Sequence, residues 1–263
     1  MNDFSLFETM RYTPGEGIAR LSLHLKRLET SARRLGFAGA EKAEEALATH
    51  LGIPPSVLPD ISPSRGEIAG GAACTFDSNG NGEDERGPRP ISLRAGEMSG
   101  RTEGGAPSQD RLRVRLELSP SGEISIISAP FVLQPEDTVW RIAIARTCTN
   151  SADTLLRHKT TRRALYEAAR TEYPVETVNE VILLNEKGEV AEGTITNLFV
   201  AMEDGRLATP PLSSGCLAGV LRTSLICGKR AFNQRLRPDD LKDRPLYIGN
   251  SLRGLIRAEL IEA

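Results

Sequence analysis

The sequence lacks a basic excess, a long apolar run and a signal peptide. Its 33 Lys and Arg residues against 35 Asp and Glu residues give a formal net charge of −2, which argues against a general binder of nucleic acid or anionic membranes. No segment approaches the roughly 18 consecutive apolar residues that a membrane-spanning helix needs. The first residues contain neither a basic nor an apolar signal region. We therefore expect a soluble, cytoplasmic protein that acts on a small molecule.

Metal-ligating side chains are also scarce. The three histidines His24, His50 and His158 are far apart, and the 4 cysteines form no C-x-x-C pair. No metal site is therefore expected. If the protein is an enzyme, its chemistry must come from Lys, Glu, Arg or Thr side chains or from an organic cofactor.

Hydrophobic periodicity predicts a mixture of hairpins and helices, which is typical of an α+β fold. In the first half it predicts strands at 4–12, 18–21, 111–118 and 124–127 and helices at 22–35 and 40–51. In the second half it predicts strands at 141–145, 180–185, 197–201 and 246–249 and helices at 161–173 and 217–226. Residues 54–110 are rich in Gly and Pro and indicate a mobile insertion. We interpret 1–128 and 138–263 as two domains joined by a linker at 129–137.

Lys159 lies in the segment RHKTTRR, among other cationic side chains. A lysine buried among positive charges loses its proton more easily and becomes a nucleophilic amine. The alternative is the solvated basic start of a helix.

Glu192 lies in EVAEGTITNLF, between apolar segments, which suggests a buried strand end. A buried carboxylate needs a cationic partner, and a protonated pyridine nitrogen is one candidate. The alternative is a glutamate in a surface turn, as we expect for Glu189 beside Gly188.

Three further features could bind an anion. Arg27 on the first helix could bind a phosphate through its forked guanidinium, although it could equally be an ordinary helix-face arginine. Gly219, and Gly249 with Asn250 before Leu252, could each open a helix whose free N–H groups face an anion. The alternative for both positions is an ordinary capped helix start. No dinucleotide-binding or phosphate-loop glycine motif is present.

Seven ordered motifs resemble the class IV (fold type IV) pyridoxal-phosphate enzymes: FETMR, HLKRL, RVRLELSPSGEI, HKTTRRALYE, EVAEGTITNLF, LAGVLR and GNSLRGLI. That family includes branched-chain and D-amino-acid aminotransferases and 4-amino-4-deoxychorismate lyase. The motifs FSLFETMR, SARRLGF and HKTTRRALYE look most like the lyase, including the lyase region of proteins fused to an aminodeoxychorismate synthase component. The resemblance implies a smaller N-terminal α/β domain and a larger, barrel-like C-terminal domain that binds the cofactor.

The resemblance also implies roles for individual residues. Lys159 matches the lysine that bonds pyridoxal 5′-phosphate and moves a proton, and Glu192 matches the partner of the pyridine nitrogen. The residues expected to hold the rest of the cofactor, chiefly its phosphate, are Arg27, Thr196, Val220, Leu221 and Asn250. The residues expected to bind substrate are Thr9, Arg11, Arg113 and Arg115, with the face of the last two uncertain by one strand position. Some aminotransferases have a tyrosine five residues after the lysine, where this chain has Ala164; its Tyr166 lies seven residues after.

The implied activity is release of p-aminobenzoate and pyruvate from aminodeoxychorismate, a step of folate biosynthesis. The alternatives are an aminotransferase acting on branched-chain or D-amino acids and a non-catalytic family member. The resemblance further implies a homodimer, and an aminodeoxychorismate synthase component is a candidate partner.

Overall fold

The computed structural model describes residues 3–53 and 111–261; the predicted insertion at 54–110 lies outside these ranges. The first half forms a four-stranded antiparallel sheet in the order β2-β1-β3-β4. Its strands are β1 (Leu6–Thr13), β2 (Gly17–Ile18), β3 (Leu112–Leu118) and β4 (Ile124–Pro130). Strand β4 extends two residues into the predicted linker.

The alternation in β3 separates two faces of this sheet. Val114, Leu116 and Leu118 are buried, and they face the helices α1 (Leu21–Leu35) and α2 (Ala43–Leu51) in one hydrophobic cluster. A single 3-10 turn at Ala40–Lys42 precedes α2. The strand register pairs Phe7 with Glu117, Thr9 with Arg115 and Arg11 with Arg113. Because directly opposite residues share a face, these side chains, all polar except Phe7, lie together on the other side.

The second half forms a mixed eight-stranded sheet in the order β10-β9-β8-β11-β12-β5-β6-β7. Its strands are β5 (Val139–Thr149), β6 (Glu180–Asn185), β7 (Val190–Gly193), β8 (Asn197–Ala201), β9 (Leu207–Thr209), β10 (Ala231–Asn233), β11 (Leu246–Asn250) and β12 (Gly254–Leu260). Strand β5 pairs in parallel with β6 and β12. The helices are α3 (Ala164–Arg170) and α4 (Val220–Cys227). The α+β prediction is confirmed.

Several local predictions differ from the structure. The helices predicted at 161–173 and 217–226 are shorter, and the short strands β7, β9 and β10 were not predicted. The expectation that Gly249 and Asn250 open a helix is wrong, because they end β11 and are followed by a turn into β12. The interpretation of Glu189 as a surface glutamate is also wrong. It is 7% exposed, and its Oε2 accepts hydrogen bonds from Asn185 Nδ2 and Ser214 Oγ.

An irregular segment of the second half is attached to the first sheet. Leu6 and Thr160 form an antiparallel bridge. Phe7 N donates to Lys159 O at 3.0 Å, and Thr161 N donates to Ser5 O at 2.9 Å. These bonds fix Lys159 beside strand β1, between the two sheets.

Two observations concern the ranges 3–53 and 111–261 only. No helix there is long and apolar enough to cross a bilayer, and no group of three or more His, Cys, Asp or Glu side chains is arranged to hold a metal ion.

Candidate active site

A cavity of about 500 Å³ lies between the two sheets. Nine of the predicted site residues line it: Thr9, Arg27, Arg113, Arg115, Lys159, Glu192, Thr196, Val220 and Asn250. Two predicted residues, Arg11 and Leu221, do not line it. The chain therefore brings most of its predicted site residues together from segments far apart in sequence.

Lys159 reaches into this cavity from the segment attached to β1. Its Nζ lies 4.5 Å from the centroid of the Phe7 ring, so the aromatic face lies beside the amine. Burial, reinforced by the positive charge of Arg27, lowers the pKa of Lys159 to about 7. The alternative of a solvated helix start is wrong, because α3 begins only at Ala164. At neutral pH a large share of this amine is unprotonated and can act as a nucleophile or a base.

Glu192 is the third residue of β7 and is 4% exposed. Its Oε1 accepts a hydrogen bond from Tyr166 Oη at 2.7 Å. Its Oε2 accepts from Leu217 N at 3.1 Å and from Asn197 Nδ2 at 3.4 Å. Burial outweighs these hydrogen bonds and raises the pKa of Glu192 to about 7. The alternative of a surface turn is therefore wrong, and the carboxylate is held by neutral donors only.

Arg27 belongs to a buried network that sequence reasoning missed. Its Nε and Nη2 donate to the two carboxylate oxygens of Glu8 at 2.8 and 2.5 Å, and its Nη1 donates to Ala218 O. Nδ1 of His24 lies 2.6 Å from Glu8, and its Nε2 lies 2.9 Å from Ser251 Oγ. The helical spacing of His24 and Arg27, three residues apart, places them on one face and could have signalled this network.

The charges in this network follow from its contacts. Burial opposes ionisation of Glu8, but Arg27 and His24 outweigh it and lower the pKa of Glu8 to about 2. Burial lowers the pKa of His24, so its ring is neutral at pH 7. Nδ1 then donates to the Glu8 carboxylate and Nε2 accepts from the Ser251 hydroxyl. Two of the five N–H groups of Arg27 remain available for an anion.

The N-terminus of α4 faces the cavity through Gly219 and Val220. The first helical hydrogen bond runs from Thr223 N to Gly219 O, so the amides of residues 220–222 have no acceptor within the helix. A Cβ at Gly219 would lie 1.8 Å from Asn197 Oδ1, and glycine is therefore required there. Leu221 packs its side chain into a hydrophobic cluster with Phe199, which leaves only its backbone for ligand binding.

The loop between β7 and β8 is fixed by Glu180. This carboxylate accepts hydrogen bonds from Val181 N, from the amide and hydroxyl of Thr194, from Ile195 N and from the Thr196 hydroxyl. Thr196 lines the cavity, but its hydroxyl donates to Glu180 at 2.9 Å. Asn250 Nδ2 donates to Ile195 O, which ties the same loop to the end of β11.

Several arginines line the cavity. Arg113 and Arg115 lie on the same face of β3, and both line the cavity. No choice between the two residues is therefore needed. Arg115 stacks on Phe7 at 4.0 Å and pairs with Glu117 at 3.2 Å. Arg11, on the same face, donates to Leu252 O at 3.4 Å. Arg162, Arg163 and Arg253 also line the cavity and were not predicted.

These residues fit pyridoxal 5′-phosphate. The pKa of Lys159 is lowered to about 7, so its amine can lose a proton near neutral pH and react with an aldehyde. Glu192 is a buried carboxylate with no cationic side chain within salt-bridge distance among the described residues, and a protonated pyridine nitrogen supplies that charge. Arg27 and the N-terminus of α4 suit a phosphate.

The family model described as amino-transferase class IV matches residues 97–261. A crystal structure from Mesorhizobium loti, provisionally described as an amino-acid aminotransferase, is 37% identical, covers 98% of this chain and 100% of that chain, and superposes with a TM-score of 0.75. The structure of 4-amino-4-deoxychorismate lyase from Pseudomonas aeruginosa is 19% identical, covers 98% of this chain and 83% of that chain, and has a TM-score of 0.65; this likeness concerns the fold alone.

A Thermotoga maritima protein, provisionally described as a branched-chain-amino-acid aminotransferase, is 32% identical over 142 residues, which are 52% of this chain and 50% of the relative. The match thus spans about half the length of that curated relative. The family match covers more than half of the present chain, so the chain belongs to the class IV aminotransferase family. Its fold is the fold of that family, and pyridoxal 5′-phosphate is the family's cofactor.

Proposed function

We propose that the protein is a 4-amino-4-deoxychorismate lyase, which converts its substrate into p-aminobenzoate and pyruvate. The reaction removes a proton from the ring carbon that bears the amine and expels the enolpyruvyl group from another ring carbon. The ring becomes aromatic, and the departing group leaves as pyruvate. Atoms balance without any second substrate.

The observation that carries this proposal is the arginine wall of the cavity. The substrate of the lyase has two carboxylates, and arginine binds carboxylates through paired hydrogen bonds. Arg113, Arg115 and Arg253 line the cavity together with Lys159. An apolar branched-chain side chain would instead be matched by an apolar wall.

Each residue then has a task in the reaction. The bound pyridoxal 5′-phosphate supplies an electron sink for the charge that develops at the carbon bearing the amine. Lys159 Nζ removes the proton from that carbon, for which a pKa of about 7 is well matched to neutral pH. Glu192 holds a proton at the pyridine nitrogen. Arg27, with the amides of Val220 and Leu221 and with Asn250 and Thr196 nearby, holds the cofactor in place.

Mixing the purified protein with aminodeoxychorismate and following p-aminobenzoate fluorescence tests the proposal. We expect release of p-aminobenzoate without any keto acid and an equal amount of pyruvate. No release, together with glutamate formation from 2-oxoglutarate and an amino acid, would instead establish an aminotransferase.

The aminotransferase remains the second candidate because of specific similarities. The Mesorhizobium loti and Thermotoga maritima proteins are both provisionally described as aminotransferases, at 37% and 32% identity. Against it, Ala164 occupies the position of the aminotransferase tyrosine, and Tyr166 donates to Glu192 instead. A non-catalytic role is the third candidate; it requires that neither reaction occurs.

We also propose a homodimer, on the basis of the family resemblance. Light scattering coupled to gel filtration tests the dimer. Co-purification tests whether an aminodeoxychorismate synthase component also binds this protein.

A further inference from the structure

His24 and Ser251 form a buried pair to which the proposed function gives no task. His24 is 1% exposed and Ser251 is 5% exposed, and both line the cavity. His24 Nε2 lies 2.9 Å from Ser251 Oγ, and His24 Nδ1 lies 2.6 Å from Glu8 Oε2. The pair therefore connects α1 to the turn between β11 and β12, and through Glu8 it is connected to Arg27.

This turn lies beside the start of α4. A Cβ at Gly249, two residues before Ser251, would lie 2.8 Å from Leu221 Cδ2, so the end of β11 packs against the first turn of the helix. Arg27 reaches the same region from α1, because its Nη1 donates to Ala218 O at 3.1 Å. The Ser251 hydroxyl, the Arg27 guanidinium and the free amides of α4 thus meet in the part of the cavity that suits a phosphate.

That part of the cavity has little net positive charge for a phosphate dianion. The charge of Arg27 is balanced by Glu8, which accepts hydrogen bonds from its Nε and Nη2 groups. The N-terminus of a helix contributes only about half a positive charge. A buried anion without a counter-charge is costly, and His24 is the remaining titratable group of this hydrogen-bonded network.

The hydrogen bonds of the pair allow two states. In the neutral ring, Nδ1 donates to Glu8 and Nε2 accepts from the Ser251 hydroxyl, so the single hydroxyl proton is already used. When Nε2 carries a proton, it donates to Ser251 Oγ instead, and the hydroxyl proton can then be donated to an anion. Protonation of His24 thus supplies both a positive charge and a free donor.

The charged groups that act on His24 favour the neutral state as long as no anion is bound. Burial lowers the pKa of His24, Glu8 of β1 opposes this effect, and Arg27 and the neighbouring Arg20 add to it. The β11–β12 turn contributes the uncharged Ser251 hydroxyl to this contact. A dianion close to Ser251 favours the protonated ring.

We propose that Ser251 Oγ donates a hydrogen bond to the phosphate of the bound cofactor, and that His24 takes up a proton at Nε2 to free this hydroxyl. The proton comes from water, and no covalent bond between heavy atoms changes. Ser251 is then a ligand of the phosphate, and His24 is a positioning residue that also balances its charge. This inference rests on the phosphate position beside Arg27 that the proposed function uses, and it does not depend on the lyase reaction.

Pyridoxamine 5′-phosphate is the probe for this inference, because it carries the phosphate but no aldehyde that could bond Lys159. Lys159 and Glu192 both have a pKa of about 7, so the His24 ring itself must be observed. The chain has 3 histidines, and NMR of ¹⁵N-histidine-labelled apoprotein resolves them, with His24→Gln giving the assignment.

The measurement is made at pH 8, where a phosphate ester with a second pKa of about 6 is a dianion. We expect the His24 ring to be neutral in the apoprotein and to carry a proton on both nitrogens when pyridoxamine 5′-phosphate is bound. Pyridoxamine, which lacks the phosphate, should leave the ring neutral. A neutral His24 ring in the saturated complex of the wild type with pyridoxamine 5′-phosphate would overturn the inference.

Ser251→Ala tests the link between the phosphate and His24. We expect at least about tenfold weaker binding of pyridoxamine 5′-phosphate, as for loss of a hydrogen bond to a charged group, and a neutral His24 ring in the complex. Wild-type affinity, or a protonated ring, in this variant would contradict the role of Ser251. The exposed pair of His50 and Ser128, with Nε2 3.2 Å from Oγ, is the matched control: Ser128→Ala should bind as the wild type does.

The pH dependence of the affinity provides a second readout. Because the complex holds one proton more at His24 than the apoprotein does, binding weakens as the pH rises. Between pH 7 and 8 the wild type should lose up to about tenfold more affinity for pyridoxamine 5′-phosphate than His24→Gln loses. Parallel profiles of the two proteins would overturn the inference.

The assay for p-aminobenzoate separates this inference from the proposed function. If the wild type releases p-aminobenzoate but its His24 ring stays neutral in the complex, the lyase proposal stands and the role of His24 fails. If the ring is protonated in the complex and no p-aminobenzoate forms, the role of His24 stands and the lyase proposal fails.

Discussion

Among single residues, Lys159 comes first, because attachment of the cofactor would depend on whether its amine is protonated. Only the unprotonated amine attacks an aldehyde, and the pKa of Lys159 is lowered to about 7. We expect the rate at which apoprotein captures pyridoxal 5′-phosphate to rise as the pH passes through about 7 and to level off above it. Stopped-flow absorbance of the bound cofactor measures this rate.

Lys159→Ala provides the control for that profile. It should show no covalent capture, and borohydride reduction followed by peptide mapping should find the cofactor on residue 159 only in the wild type. A capture rate that keeps rising to the pKa of an ordinary lysine, about 10.4, would contradict the buried environment of this amine.

Glu8 is a buried residue whose replacement should lower the stability of the fold. Glu8→Gln leaves the buried Arg27 without its counter-charge, and breaking one side of a buried ion pair typically costs about 3–5 kcal/mol. We expect a decrease of this size in the free energy of unfolding, measured with urea. Glu29→Gln, on the exposed side of α1, should change it by no more than about 0.5 kcal/mol.

We also expect the contribution of Glu8 to the free energy of unfolding to depend on pH in the acid range. The pKa of Glu8 is about 2 in the folded protein and about 4.3 for an ordinary glutamate. Its ionisation therefore stabilises the fold fully above the ordinary value, and this stabilisation is lost as the pH falls towards 2. The difference in unfolding free energy between the wild type and Glu8→Gln should shrink over this window. A constant difference would show that Glu8 is not ionised in the native state.

Among secondary-structure elements, the sequence predicted those whose burial follows a simple period. Strand β3 was found because Val114, Leu116 and Leu118 alternate with charged residues, and β6 because it is a continuous apolar run. Strands β7, β9 and β10 have four, three and three residues, too few to show a period. They are formed by pairing within the sheet, which local sequence does not reveal.

In the candidate site, too, some residues could be predicted from the sequence and others could not. Lys159, Glu192 and Arg27 stand in motifs with distinctive neighbours, and their positions could be predicted. Glu8 and Arg253 could not, because each depends on contacts between segments distant in sequence. Glu8 meets Arg27 across the interface of β1 and α1, and Arg253 lines the same cavity as residues of the first sheet although it belongs to the turn between β11 and β12.

The start of helix α4 leads to a prediction about the affinity for the cofactor. Gly219 has a φ of −62°, so alanine is allowed by the backbone, yet its Cβ would lie 1.8 Å from Asn197 Oδ1. Gly219→Ala must therefore displace the helix start or Asn197, and we expect at least about tenfold weaker binding of pyridoxal 5′-phosphate, as for loss of a charged hydrogen bond. Fluorescence titration of apoprotein measures this affinity.

The opposite end of the same helix supplies the control. Gly228 has a φ of −76°, and a Cβ there approaches Ser224 O only to 3.3 Å. Gly228→Ala should bind the cofactor as the wild type does. Equal affinity in Gly219→Ala and Gly228→Ala would show that the start of α4 does not contribute to the phosphate site.

In the whole molecule, the two sheets are joined at Lys159, the residue proposed to bind the cofactor. The bonds from Phe7 N to Lys159 O and from Thr161 N to Ser5 O attach the lysine segment to β1. A ligand at about one hundred times its Kd stabilises a protein by about 2.7 kcal/mol. Because a cofactor bound to Lys159 would also contact cavity residues of the second sheet such as Glu192, we expect that stabilisation to reach β1 as well.

Hydrogen exchange of the backbone amides measures this coupling. Pyridoxal 5′-phosphate should slow exchange at Phe7 and Met10 of β1 as much as at Val181 and Phe199 of the second sheet, since opening either sheet would disrupt the bound cofactor. The exposed edge strand β4 should change less, because it lies two strands from the bridge. Slowing confined to the second sheet would mean that the first sheet opens independently, and that Lys159 is positioned by its own segment alone.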